Sequence, residues 1–323
     1  MILACGSNGK YQLGNGSDED SSEFIPCKFL IDGQITQSVQ RPLKILHGGN
    51  HTMVLFENGQ LFSCGDNTFG QCGHDSPQLI TVFTQVPGKW SNASCGWEFS
   101  ILVNDKSELF VCGSGSKGEL GLGDTTQCKL TKIPIDLQVD DIQSTVQYTL
   151  LRSGDNFYAW GNGKKGQFIE KAIFQTPTKV DLPRSKDIKS YALTKDSVVL
   201  NYGSSIKSLG RLEIEVQGQI QSIKTMWSSI HYQIDGKLSS QGNNSHGQLS
   251  DNHLTNFESF ETGSEHGILQ KDQLYSWGWG EHGNCGTSSE PNHDQIVFKQ
   301  LNPIYDQPVS LISCGCATTF IVQ

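Results

Sequence analysis

Short apolar runs recur along the chain, each a few residues long and each bounded by Gly, Asn, Asp or Ser, as at Met53-Val-Leu55, Ile101-Leu102, Ile268-Leu269 and Phe320-Ile-Val322. Runs of this length between turn formers predict strands rather than helices. Several close a longer pattern: His47-Gly-Gly-Asn-His-Thr-Met-Val-Leu55, Ser94-Cys-Gly-Trp-Glu-Phe-Ser-Ile-Leu102, Thr225-Met-Trp-Ser-Ser-Ile-His231 and Glu261-Thr-Gly-Ser-Glu-His-Gly-Ile-Leu269. Turn signals follow at Glu57-Asn-Gly-Gln60 and Ile234-Asp-Gly-Lys237. Asn-Gly and Asp-Gly supply the positive φ angles of a tight β-hairpin, so the repeating unit is a hairpin.

Beyond the turn a second pattern repeats. It reads Ala4-Cys-Gly-Ser-Asn-Gly-Lys-Tyr-Gln-Leu-Gly14, returns as Ser63-Cys-Gly-Asp-Asn-Thr-Phe-Gly-Gln-Cys-Gly73, and ends as Ser276-Trp-Gly-Trp-Gly-Glu-His-Gly-Asn-Cys-Gly286. Aligning the copies gives seven anchor glycines: Gly6, Gly65, Gly113, Gly161, Gly203, Gly242 and Gly278. The segment Ser313-Cys-Gly-Cys-Ala-Thr-Thr-Phe-Ile-Val322 is a first half without a second, and Ile2 to Gly14 is a second half without a first. Pairing them completes one unit and removes two exposed sheet edges. The expected fold is all-β: a single-domain, seven-bladed β-propeller over residues 1–323, closed by pairing of the N- and C-terminal segments in one blade. Outer strands are expected from Lys129-Leu-Thr-Lys-Ile-Pro134 and Pro177-Thr-Lys-Val-Asp-Leu182, and a surface loop from Ser17 to Pro42.

Composition narrows the function. A net charge of -9 and no basic run argue against a surface for nucleic-acid phosphates. No charged and then apolar leader opens the chain, and no later stretch approaches a membrane span, so a soluble cytoplasmic protein is expected, with nuclear entry left open. Under that reading the ten cysteines are reduced thiols.

The Gly-x-Asn-x-x-Gly-Gln-Leu-Gly segments and the Gly-x-x-His strands resemble the regulator of chromosome condensation family of propellers over essentially the whole chain. Within it the likeness is strongest to the fungal members tied to killer-toxin insensitivity, also described as alpha-tubulin suppressors. It is carried by His47-Gly-Gly-Asn-His51, Cys95-Gly-Trp97, Met226 to His231, Gly263 to Leu269, Trp277 to Gly286 and Cys316 to Val322. The resemblance implies a non-enzymatic propeller that forms a heterodimer with a small four-cysteine zinc-binding electron carrier. Through that partner it would serve diphthamide synthesis and Elongator-dependent modification of tRNA wobble uridines, without direct contact with nucleic acid or membrane.

Three apparent chemical motifs reduce to the repeat. Gly113-x-Gly115-x-x-Gly118, Gly161-x-Gly163-x-x-Gly166 and Gly278-x-Gly280-x-x-Gly283 fit a dinucleotide fingerprint, but they recur at equivalent positions with no following helix, so their glycines serve turns. Cys314-x-Cys316 with Cys285 could suggest zinc, yet Cys5, Cys64 and Cys112 all precede anchor glycines, which points to small buried residues on a template. Glu265 beside His266 and Glu281 beside His282 are neighbours on extended chain and point to opposite faces, so adjacency does not make an acid–base pair. No catalytic residue, metal site or cofactor is expected.

Folding each hairpin at its turn sets Asn50 and His51 by Asp66, Trp97 near Ser114, Trp227 by Asn243, and Glu265 and His266 beside Trp279. One rim would thus carry the candidate partner-binding residues Asn50, His51, Trp97, Trp227, Glu265, His266, Trp279, Glu281 and His282. Large rigid aromatics dominate interface hot spots, whereas Trp277 stands where other copies have Cys5, Cys64, Cys112 and Trp160 and is expected to be core. Two other functions compete. Nucleotide exchange on a small GTPase is suggested by the wider family, but the chain shows neither a basic tail before the first blade nor an extra wedging hairpin. An enzyme of the central channel would need convergent carboxylates or metal ligands where this chain has Gly, Ser, Asn and Cys.

Overall fold

The computed structural model describes residues 1–250, 254–286 and 297–323. Among the described residues the strands form seven sheets, antiparallel except where Phe29–Ile31 runs parallel to Leu79–Val86, with hairpins at the expected turns, and the fold is an all-β seven-bladed propeller. By its contacts the chain divides into two compact units, one of residues 1–8, 19–26 and 187–323 and the other of residues 9–18 and 27–186. The blades are named below by their anchor glycines.

Burial follows position in the sheet. The central strands His51–Phe56 and Phe99–Asn104 are buried on both faces, which is why their sequences read as continuous apolar runs, whereas Leu79–Val86 and Gln127–Lys132 on the outside alternate. The cores lie between consecutive sheets: Met53, Leu55, Leu61, Trp90, Ala93 and Leu102 join the Gly65 and Gly113 blades, and Met226, Leu238, Phe260, Leu269 and Trp277 join the Gly242 and Gly278 blades. Each such aliphatic side chain contributes about 1.5–3 kcal/mol by leaving water.

The closing blade forms as expected. Strand Ile2–Gly6 pairs with Thr318–Val322, in register from Ile2 opposite Val322 to Gly6 opposite Thr318. Lys129 to Lys132 and Pro177 to Val180 lie in outer strands, Gln127–Lys132 and Ile173–Val180.

At each anchor the backbone makes the same manoeuvre. Gly6, Gly65, Gly113, Gly161, Gly210, Gly242 and Gly278 hold φ between +96° and +127°, and a Cβ there would strike the carbonyl oxygen just before the paired strand. That carbonyl instead accepts the N–H of the residue after the glycine, at 2.8 Å for Ser7, Asp66, Ser114 and Asn162, 3.0 Å for Asn243 and Trp279, and 3.2 Å for Arg211. In five of these blades the register toward the next strand slips at the glycine, a β-bulge that re-aims the following side chain.

Two expectations need correction. In the blade of residues 190–217 the anchor is Gly210, which pairs with Ser197, and not Gly203, which belongs to the turn between strands Ser197–Asn201 and Ser205–Gly210. Asn201-Tyr-Gly-Ser-Ser imitates the template in composition, but a Cβ on Gly203 would meet only Lys189 Cγ at 3.7 Å. The segment from Ser17 to Pro42 is not simply a surface loop. It supplies Ser21–Pro26 as the outer strand of the closing blade, then Phe29–Ile31 and Gln34–Thr36 beyond the Gly65 blade, and Phe29 is buried in a stack 4.7 Å from Phe83.

Candidate functional site

Trp279 is the residue that its bulge turns outward, and its surroundings are built from two successive repeats. Its indole stacks on His246 with ring centroids 5.3 Å apart at 27°, and meets His282 at 6.4 Å and 64°. Each histidine faces a carboxylate: His282 Nδ1 lies 2.8 Å from Asp20 Oδ2, and His246 Nδ1 lies 3.7 Å from Glu265 Oε2. Glu265 is fixed from behind by a hydrogen bond from the Gln248 side-chain amide, whose own oxygen accepts the His246 N–H at 2.8 Å. Asn284 donates to the Trp279 carbonyl at 2.8 Å, while the buried indole Nε1 has no partner among the described residues. Glu281 is exposed beside this cluster. Trp277, two residues earlier, is core as expected: it is buried and donates through Nε1 to the Gln248 carbonyl at 2.7 Å.

Trp227, in the same unit, precedes the start of its central strand. Its N–H donates to Ser264 O at 2.9 Å and its carbonyl accepts from Lys195 N at 3.2 Å, so the backbone beneath the indole is held on both sides. In the other unit Trp97 occupies the equivalent position. It donates to Val146 O at 3.4 Å, accepts from Gly49 N at 2.9 Å, and its ring covers Gly49, where a Cβ would lie 2.8 Å from the indole. The Asn50 carbonyl takes the Asp66 N–H, as the hairpin pairing requires.

His51 and His266 are not surface residues. Both are buried, with Nε2 2.8 Å from Ser100 Oγ and 2.9 Å from Thr319 Oγ1 respectively, and burial lowers each pKa to about 4. His231 is similar, with Nε2 3.1 Å from Ser229 Oγ and a pKa lowered by burial to about 3. These neutral imidazoles cross-link the frame, so His51 and His266 leave the list of contact residues. Glu265 is nearly buried as well, and its carboxylate faces His246. The template cysteines are inert for the same reason: burial raises Cys95 to about 12 and pushes Cys5, Cys64 and Cys112 well above the ordinary thiol range.

Sequence comparison bears on this geometry. Models of the regulator of chromosome condensation (RCC1) repeat match residues 1–55 and 271–322, and a second model of that repeat matches residues 48–71. An RCC1 repeat-containing protein of Schizosaccharomyces pombe is 30% identical, aligned over 100% of this chain and 98% of its own length. The chain belongs to the RCC1 repeat family. A secretion-regulating guanine nucleotide exchange factor of mouse is 23% identical over 100% of this chain and 83% of its own length. Among solved structures, Prp20p of Saccharomyces cerevisiae superposes with a TM-score of 0.81 at 18% identity, covering 99% of this chain and 90% of that one. Human WBSCR16 gives 0.79 at 13% identity, covering 99% of both. At such identities these two establish the shared fold alone.

Against the RCC1 repeat, the site consists of departures from the template. The residue before each Gly-Gln or its equivalent is Lys10, Phe69, Lys117 and Lys165 in four blades but His246 and His282 in the two that flank Trp279. That shared position could have drawn attention to His246. The Asp20 contact carried no signal, because it joins residues 262 apart in sequence.

Proposed function

We propose that this chain is a non-enzymatic docking propeller, and that it forms a heterodimer with a small four-cysteine zinc-binding electron carrier. The surface around Trp279, His282, Glu281 and Trp227 would receive that partner, and through it the chain would serve diphthamide synthesis and Elongator-dependent modification of tRNA wobble uridines. The observation that carries the docking part is Trp279: an indole at a position filled elsewhere by Ser7, Asp66, Ser114, Asn162, Arg211 or Asn243, held between two imidazoles, with its Nε1–H buried and unpartnered among the described residues. Anchors of this kind, rigid before binding and with a polar handle left over, dominate protein interfaces. The partner's identity is supported by the likeness to the fungal killer-toxin-insensitivity members. This reading places the protein in the cytoplasm, with a nuclear fraction left open.

Native purification from cytosol, followed by identification of co-eluting proteins, tests the reading. A small zinc protein at equal stoichiometry is expected, and recovery as a lone monomer would overturn it. A second reading, regulation of a small GTPase by nucleotide exchange, is favoured by the name of the mouse relative. Catalysed nucleotide release from a purified small GTPase would reverse the ranking.

A further inference from the structure

Within the unit that contains Trp279, a cavity of about 350 Å³ opens between the Gly210 and Gly242 blades. Its lining includes Lys195, Asp196, Arg211, Leu212, Trp227 and Ser228. Arg211 is the residue after the true anchor Gly210, so the position that carries small polar groups in most blades here projects a guanidinium. Its side chain is 73% exposed and lies 3.7 Å from the Asp196 carboxylate, beyond hydrogen-bond length, which leaves the planar fork of donors open. Lys195 is exposed on the neighbouring rim position. The Ser228 hydroxyl is buried at the cavity wall without a partner among the described residues.

The walls are fixed before any ligand arrives. Leu212 N donates to Ser197 Oγ at 2.7 Å, its carbonyl accepts from Ser208 Oγ, and Lys195 N is tied to the Trp227 carbonyl at 3.2 Å. Leu212 and the half-buried Trp227 indole give an apolar flank, two cations against one carboxylate leave a local surplus of one positive charge, and Ser228 offers a neutral hydrogen-bonding group.

We infer that this cavity is a socket for one carboxylate side chain of a docking protein, an acidic residue flanked by apolar ones, taken by Arg211 with its aliphatic stem against Trp227 and Leu212. Guanidinium and carboxylate match as a bidentate pair. A phosphate dianion fits worse, since Asp196 faces the same space and one surplus charge cannot balance two. A polyanionic segment is opposed by the chain's net charge of -9. The inference rests on the docking reading only in placing a protein on this surface. It does not depend on which protein docks.

The test uses the full-length chain and blocked tripeptides: acetylated, amidated Leu-Glu-Leu, its Leu-Gln-Leu counterpart, and inorganic phosphate alone. The readout is the Trp227 indole N–H resonance, assigned by Trp227→Phe. The glutamate peptide is expected to shift this resonance saturably at millimolar concentration, and added salt should weaken the effect. Arg211→Gln should weaken binding about tenfold, and Arg211→Lys by less, because the charge stays while the fork is lost. An otherwise unchanged spectrum confirms that these surface variants fold. Equal shifts from the glutamine peptide, comparable binding of phosphate alone, unchanged affinity in Arg211→Gln, or no shift with the glutamate peptide would each overturn the socket. None of these outcomes bears on co-elution of the zinc protein, so the two readings fail separately.

Discussion

The Gly113 and Gly278 blades share one hairpin, one bulge and one turn, yet they use tryptophan in opposite ways. In the Gly113 blade the indole is Trp97, placed before the central strand, bonded through both backbone groups and laid over Gly49, while the residue after the bulge is the small Ser114. In the Gly278 blade the position before the strand is the small Ser264, and the indole is Trp279, sent outward by the bulge between His246 and His282. The same side chain fills a gap in one blade and presents a surface in the other. Position relative to the bulge, rather than residue type, sets what each indole touches.

The largest effect should come from acid, which attacks what the two blades' surroundings have in common. His51, His231 and His266 keep folded pKa values of about 4, 3 and 4, below the ordinary histidine value of 6.5, so the unfolded chain binds protons first as pH falls. Stability is therefore complete above about pH 6.5 and is lost on the way down toward 4, at about 1.4 kcal/mol per pH unit for each histidine. Urea midpoints at pH 7 and pH 5 should differ accordingly, and His266→Gln should flatten the slope. A pH-independent midpoint would break the view that these imidazoles belong to the frame.

Gly210→Ala comes next. With φ at +111° and a carbonyl in the way, it should cost about 2–4 kcal/mol in chemical denaturation, against about 1–2 kcal/mol for Gly203→Ala at φ +85° in open space. Equal losses would undo the assignment of Gly210 as the anchor. Trp279→Ala should then weaken partner binding in pull-down and titration by roughly tenfold to a hundredfold with the fold intact, while Trp97→Ala should lower stability and leave affinity within about threefold. The reverse pattern would exchange the roles of the two indoles. Smallest of all, Asp20→Asn should cost at most about 1 kcal/mol in thermal unfolding, because the His282 pair is half-exposed. It should reduce partner affinity only severalfold, which a binding titration would register.

What was legible in the sequence was whatever repeats. Alternating apolar runs and turn pairs gave the hairpins, and the complementary ends gave the closing blade. Trp277 was recognisable as core because four equivalents carry Cys or Trp. The fifth anchor was misplaced because Asn201-Tyr-Gly has the template's composition while only register shows that Gly210 is the glycine opposite Ser197. His51 and His266 looked like rim polar groups because extended chain hides which face is covered by the next sheet. His246, Asp20 and Arg211 entered the picture only when neighbouring elements came together, a relation that no local pattern encodes.

The closing blade also sets a schedule for folding. Strand Ile2–Gly6 and its partner Thr318–Val322 are separated by almost all of the other blades' sequence. Bringing them together closes a loop whose entropy costs about 5 kcal/mol beyond a constant, and long-range pairing of this kind comes late. The same N-terminal segment carries Asp20, which holds His282, and Ser21 and Ser22, against which Gly283 is packed. The imidazole face of Trp279 is thus completed by the event that completes the sheet. The shape of this face therefore reports whether the two distant strands have met.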